Sequence, residues 1–291
     1  MIWFAFLKIL SESLLSFYPA MVKYVKFPII NQLWSRLVVY CIVALFFLDW
    51  ANLPKLLFSC IGLILAAVNV FHIYTSYIGF NYLESGVSYS LFYTYPIFIL
   101  IFSGLWFQMF YLLPLIGVGF LTYSNWKDSV NLGQSKKKFA FGILGIIGAM
   151  LSEVGLYFIV KKIGGGKDMS KWNVLFVAYL LPAIILSAIL GKKVLPPKEN
   201  VEESENGKRN NEWVKNLVIM IVGNALIGAL GYYLRFYTID KMSVSLYSGL
   251  SYFGIVMAYV YGWTINKEKV GWYSIVGSIL VIIGGLLVGK N

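Results

Sequence analysis

Charge is what this chain is short of. Only 13% of its 291 residues are Asp, Glu, Lys or Arg, while 59% are hydrophobic, and the mean hydropathy is +0.75. Soluble domains carry about 25% charged residues. So few charges cannot cover a water-exposed surface, which excludes a soluble globular domain and makes hydrocarbon the solvent for most of the chain. Histidine occurs once, as His72, and cysteine twice, as Cys41 and Cys60, both inside apolar runs. That scarcity leaves no His-rich metal cluster and no disulfide framework to expect. No Gly-x-x-x-x-Gly-Lys-Ser/Thr loop is present to cradle nucleotide phosphates. No cofactor or metal is therefore expected, and uphill work would have to draw on an ion gradient or on exchange. Acidic residues are outnumbered, 13 against 24 Lys and Arg, for a net charge of +11. The lysines sit in short clusters between apolar runs, as in Lys136-Lys137-Lys138, Lys161-Lys162 and Lys192-Lys193. Helix flanks facing anionic headgroups explain that pattern, and nucleic acid does not.

What is present is a succession of apolar stretches, each near the roughly 20 residues that cross a bilayer. They fall at about 2–22, 31–48, 55–78, 85–105, 107–124, 138–160, 172–190, 215–236, 242–263 and 271–288. The first is expected to stay as a helix, because Glu12 interrupts it and neither a basic leader nor a small-residue cleavage site accompanies it. Residues 125–137 read as a connecting loop, and 196–213 as a polar loop too poor in apolar residues to order itself. Gly142, Gly145 and Gly148, and later Gly277 with Gly284-Gly285, are spaced for close helix packing. The expected fold class is an all-α integral membrane protein of about ten transmembrane helices.

The chain also echoes itself. Leu-Ser-Glu ends at Glu12 in the first stretch and again at Glu153 in the sixth. At a constant offset of 158, Tyr74, Ser85, Tyr89, Ser90 and Gly104 match Tyr232, Ser243, Tyr247, Ser248 and Gly262. The echoes place stretch 1 on 6, 3 on 8 and 4 on 9, giving one five-helix repeat over 1–124 and another over 138–291. Five is odd, so the repeats would enter the membrane from opposite sides. Inverted repeats of that kind characterise secondary transporters, whose substrate site lies near the midplane between them.

Residues 231–288 read Gly-Tyr-Tyr-Leu-Arg-Phe-Tyr, then Ser-Val-Ser-Leu-Tyr-Ser-Gly-Leu-Ser-Tyr, then Asn266-Lys267-Glu268, then Ile-Val-Gly-Ser-Ile-Leu-Val-Ile-Ile-Gly-Gly. This resembles the second repeat of the EamA-type drug/metabolite transporters (the DMT superfamily), and residues 73–104, with Pro96, resemble the matching part of the first repeat. Arg36 stands where that family often has an arginine. The resemblance implies a small-molecule carrier. The chain departs from the pattern at Leu105-Trp106-Phe107-Gln108, where a glutamate is expected, at Gly254, where a proline is expected, and at Glu12 and Glu153, where small or aromatic residues are usual.

A charge inside a span costs at least about 2.5–3.5 kcal/mol on insertion scales, so each one asks for a reason. Glu12 and Glu153 lie midway along repeat-related stretches and are candidate proton carriers; the plainer alternative is a protonated or lysine-paired glutamate that locks helices together. Lys8, one turn before Glu12, shares its face and either pairs with it or snorkels to the surface. Arg36 either holds an anionic group bidentately or snorkels. His72 relays protons or packs, and Asn224 binds substrate or bridges helices. Tyr89 and Tyr247, with Tyr93 and Tyr252 nearby, form either a substrate-facing wall or packing surface. Together these residues predict a secondary carrier, a monomer or homodimer in a lipid bilayer, that moves a small organic metabolite by alternating access with protons as a candidate coupling ion. A non-transporting scaffold or receptor on the same fold, and a membrane-embedded enzyme, are the rival readings.

Overall fold

The computed structural model describes residues 2–104, 112–131, 136–164, 169–194 and 206–290. Its described regular elements are all helical. In chain order they are α1 (Ile2–Tyr24), α2 (Ile29–Leu45), a short helix Leu53–Leu57, α3 (Cys60–Tyr82), α4 (Ser85–Phe102), α5 (Leu112–Asn131), α6 (Lys136–Gly164), α7 (Lys171–Leu190), α8 (Glu212–Ile239, its helix beginning at Asn206), α9 (Val244–Asn266) and α10 (Trp272–Lys290). Seven of these, α1, α3, α4, α6, α7, α8 and α9, are long and apolar enough to cross a membrane; α2, α5 and α10 hold shorter apolar stretches. Large apolar side chains such as Phe58, Leu144, Ile184 and Trp263 face outward, while Lys8, Glu12, Arg36, Glu153 and Arg235 are buried. A protein that is apolar outside and charged inside is solvated by lipid. The chain is an all-α integral membrane protein.

Two loops are shorter than the hydropathy suggests. Within the expected loop 125–137, α5 runs on to Asn131 and α6 begins at Lys136; residues 132–135 lie outside the described residues. Of the expected loop 196–213, residues 206–213 are already helix, and 196–205 lie outside the described residues. A helix satisfies its own backbone, so it continues past the hydrocarbon into polar sequence, and apolar run length understates it.

Proline explains a break inside the first helix. In α1, regular helix ends at Leu15 and resumes at Tyr18, with Pro19 just inside the second half. Pro19 has no N–H to offer the Leu15 carbonyl. The Tyr89 hydroxyl of α4 donates to that carbonyl instead. In α7 the helix passes through Pro182, and the Ala178 carbonyl it frees accepts from Asn69 Nδ2 of α3 at 3.0 Å. Two prolines have thus each recruited a side chain from another helix. α4 breaks at Tyr93-Thr94 ahead of Pro96, α9 breaks at Tyr252, and α8 widens to a π-helix over Gly223–Ala229.

Main helix contacts join α1 to α8 and α9, α6 to α3 and α4, α2 to α7, α4 to α9 and α5 to α10. The glycine stripes sit at these contacts. A Cβ at Gly145 would stand 2.8 Å from the Thr75 carbonyl oxygen of α3, and a Cβ at Gly277 2.8 Å from the Gly117 carbonyl oxygen of α5. Side-chain contacts close both ends of the bundle. At one end Glu268 accepts from the Ser85 backbone N–H at 2.8 Å, the Ser85 hydroxyl at 2.9 Å and Lys23 Nζ at 2.6 Å, tying α9 to the N-terminus of α4 and to α1. Negative charge at a helix N-terminus is favourable. At the other end Lys171 pairs with Asp240, and Asn173 clasps the backbone of Asp49 through bonds of 2.8 and 2.9 Å. Asn52 donates from its side chain to Asp49, with further backbone donors, holding that carboxyl below its ordinary range.

Candidate functional site

The charged residues inside the bundle converge. α1 presents Lys8 and Glu12 one helical turn apart, and they form an ion pair. From α8, Arg235 reaches Glu12 Oε2 through Nη2 at 2.6 Å and Glu153 Oε1 of α6 through Nη1 at 2.8 Å. One planar guanidinium thus spans two carboxylates from helices far apart in sequence. Tyr93, at the break in α4, donates its hydroxyl to Glu12 Oε2 and accepts from Arg235 Nη2 at 3.1 Å. The Lys8 ammonium lies 3.5 Å from the centroid of the Tyr247 ring, a cation–π contact.

His72 of α3 stands next to this junction. Its Nδ1 is 3.1 Å from the Ala149 carbonyl oxygen, which can only accept, so the proton belongs on Nδ1. Nε2 then accepts from the Tyr232 hydroxyl at 2.8 Å and also faces Glu153 Oε2 at 3.4 Å. That carboxylate oxygen has no hydrogen-bond partner. A proton arriving on Nε2 would therefore meet a waiting acceptor.

Arg36 of α2 occupies a second, adjoining environment. Its guanidinium carbon lies 4.3 Å from the ring centroid of Tyr18, 4.9 Å from Tyr232, 5.4 Å from Tyr40 and 5.8 Å from Tyr77. Its hydrogen bond is a long one, 3.5 Å from Nη2 to Tyr179 Oη, and Nε has no partner. The tyrosine wall is held from behind: Tyr18 and Tyr40 share a hydroxyl hydrogen bond of 2.6 Å, Tyr18 donates to Asn224 Oδ1 at 2.8 Å, and Asn224 donates to Ser35 at 3.2 Å. Between the two environments lies a cavity of about 10 Å³, bordered by Arg36, Arg235, His72, Tyr18, Tyr89 and Tyr232. That is room for roughly one water molecule.

The structure brings Lys8, Glu12, Glu153, His72, Tyr93 and Tyr247 into one cluster. It puts Arg36 beside that cluster and Asn224 behind the tyrosine wall, where it bridges helices. Lys8 pairs with Glu12 and is buried, so it does not snorkel; nor does Arg36. Tyr89 borders the cavity while its hydroxyl serves the α1 backbone. The Tyr252 ring packs against Gly285 of α10. Arg235 and Tyr232, which join the two environments, were not among the residues expected from the sequence. Arg235 lies one residue from the end of the apolar run 215–236; the helix continues to Ile239, and the arginine is 1% exposed.

The sequence profile of the EamA-like transporter family matches residues 140–290. No curated protein matches the chain. Eight chains of solved structures do, and one of them, described only as a crystal structure of a protein, is 15% identical over 99% of this chain and 96% of its own, with a TM-score of 0.58. At that identity the likeness speaks for the fold alone. The profile spans more than half of the sequence and takes in Glu153, Arg235 and Glu268, and the chain belongs to the EamA-like transporter family.

Proposed function

We propose that this protein is a ten-span secondary carrier of a small organic metabolite, built from two inverted five-helix repeats and working by alternating access. The observation that carries the proposal is Arg235 holding Glu12 of α1 and Glu153 of α6 at once, at the junction of the two proposed repeats. The helix pairing supports the repeats, since exchanging each helix for the one five places along returns the same set of pairs. Breaks in α4 and α9 at repeat-related positions support them too. Contacts tying helices together at both ends and a central cavity the size of one water support reading the arrangement as an occluded form. Moving to either open form has to separate one end, which the Lys23–Glu268–Ser85 contact and the Lys171–Asp240 pair would resist in turn.

Protons are the coupling ion that the donor set fits. Protonation of His72 Nε2 would displace the Tyr232 hydroxyl and engage the free oxygen of Glu153, drawing that carboxylate away from Arg235. The test is flux into liposomes holding the purified protein, over a metabolite panel and with or without an imposed pH gradient. Glu12→Gln and Glu153→Gln should each abolish accumulation while the protein stays folded, and His72→Gln should leave flux that no longer responds to the gradient. Full gradient-driven flux in the folded Glu→Gln variants would sink the role given to the junction.

A further inference from the structure

We infer that the substrate of this carrier is an organic anion whose carboxylate or phosphate is received by Arg36; the inference rests on the transport reading above. Among the described residues, the buried charged side chains are three cations, Lys8, Arg36 and Arg235, and two carboxylates, Glu12 and Glu153. Lys8 and Arg235 account for both carboxylates between them. Arg36 is the cation left over, 2% exposed, paired with no carboxylate among the described residues. A buried charge without a partner is expensive even after the surroundings relax. Four tyrosine ring faces offset part of that cost. They leave most of the guanidinium's five N–H donors unused, because its hydrogen bond to Tyr179 is a long one and Nε has none.

Arg36 also borders the central cavity, so the unspent donors adjoin the space through which a substrate would pass. A planar or tetrahedral oxyanion matches the guanidinium fork bidentately and supplies the missing charge. A neutral solute would leave the cation as it is, and a cationic solute would be repelled. Arg235 on the other wall leaves its Nε unpartnered, but both of its Nη groups and its charge are taken by Glu12 and Glu153, so it competes poorly for the ligand. The tyrosine faces then have a second use: they let the guanidinium rest without an anion between transport events. In the occluded form the cavity is too small for a metabolite, so the anion docks only after one end has opened, and its charge favours closing the bundle around it.

The test uses the full chain in detergent, with a panel of carboxylates and phosphate monoesters, from glutarate to glycerol 3-phosphate. Each is set beside its uncharged counterpart, such as glutaramide or glycerol, with putrescine as the cation. Ligands that bind the folded chain raise its apparent thermal stability. Anions should raise it and their neutral counterparts should not, and Arg36→Gln should weaken anion binding roughly 10- to 100-fold. Which of the two anion types gives the larger shift separates carboxylate from phosphate. If no anion shifts the wild type, or if neutral solutes or putrescine do so as strongly, the inference is overturned, whether or not Arg36→Gln folds. Equal anion binding by folded Arg36→Gln overturns it as well. Flux in liposomes separates this failure from that of the carrier reading. A neutral metabolite carried independently of Arg36 removes the anion site and keeps the carrier. Anion binding through Arg36 with no flux of any solute keeps the site and removes the carrier.

Discussion

Replacing Arg235 by glutamine tests the central junction. The side chain makes bonds of 2.6 and 2.8 Å to two carboxylates and one of 3.1 Å to Tyr93, all buried. Removing one member of a buried ion pair costs about 3–5 kcal/mol, chiefly because the partner charge is left behind. Here the two partners are not left equally exposed. Glu12 keeps Lys8 and the Tyr93 hydroxyl, whereas Glu153 keeps only the neighbouring His72. Most of the loss should therefore trace to Glu153. A double-mutant cycle over Arg235→Gln and Glu153→Gln isolates it. The single arginine variant should lose about 3–5 kcal/mol, and the double variant should recover part of that, because a neutral amide in place of Glu153 no longer needs a cation. A cycle of Arg235→Gln with Glu12→Gln should show less recovery, since Lys8 is then left without its anion. The assay is unfolding free energy in mild detergent by steric trapping. An Arg235→Gln variant within about 0.5 kcal/mol of wild type, inside the range of ordinary surface substitutions, would refute the buried junction. Equal recovery in both cycles would refute the assignment of the deficit to Glu153.

Other sites give sharper local readings. Tyr89→Phe leaves the Leu15 carbonyl without its donor and should cost about 1–3 kcal/mol, and adding Pro19→Ala, which returns an N–H, should restore much of it in the same unfolding assay. Asn69→Leu should cost a similar amount by stranding the Ala178 carbonyl freed by Pro182, unless the helix repairs itself, in which case hydrogen exchange at α7 would be unchanged. Gly145→Ala should push α3 and α6 apart at the Thr75 carbonyl and cost about 1–3 kcal/mol; wild-type stability there would contradict the close approach. Lys267 caps α9 with φ 56°, and Lys267→Gly should gain about 1 kcal/mol by relieving the left-handed strain, checked by a raised melting temperature. The depressed Asp49 carboxyl favours the fold above the ordinary carboxylate range, near pH 4, and that contribution is lost as pH falls through its lowered folded value. Asp49→Asn should flatten the acid limb of stability against pH, and an unchanged limb would count against it.

Much of this architecture is legible in the sequence because lipid imposes a simple rule on it. A span must be apolar for about 20 residues, so the helices and the class could be read from hydropathy. A charge inside a span has to be justified, so Glu12, Glu153, Lys8, Arg36 and His72 stood out. The same rule misleads at the ends of spans, where a charge is cheap and a boundary can be drawn just before it. Arg235 lies there, one residue from the end of its apolar run. Tyrosines were harder for a different reason. With 21 of them in the chain, nothing local separates Tyr232, which touches both His72 and the space around Arg36, from Tyr74, which is exposed.

Charge accounting would have recovered Arg235 without any structure. If Lys8 answers Glu12, then Glu153 is a buried carboxylate with no cation on its own helix within a turn, since Lys161 is two turns away. A carboxylate in that position requires a cation from another span. Apart from Lys8 and the lysines that open three of them, the apolar stretches offer only Arg36 and, near the end of the eighth, Arg235. Whichever arginine serves Glu153, the other is left without an anion among the carboxylates of the apolar stretches, which are Glu12 and Glu153. Among the described residues the buried charges therefore leave one cation over, and the fold makes it Arg36, walled by tyrosines and set beside the central cavity. A buried arginine with no counter-charge among the described residues is most simply understood as waiting for one that arrives from outside.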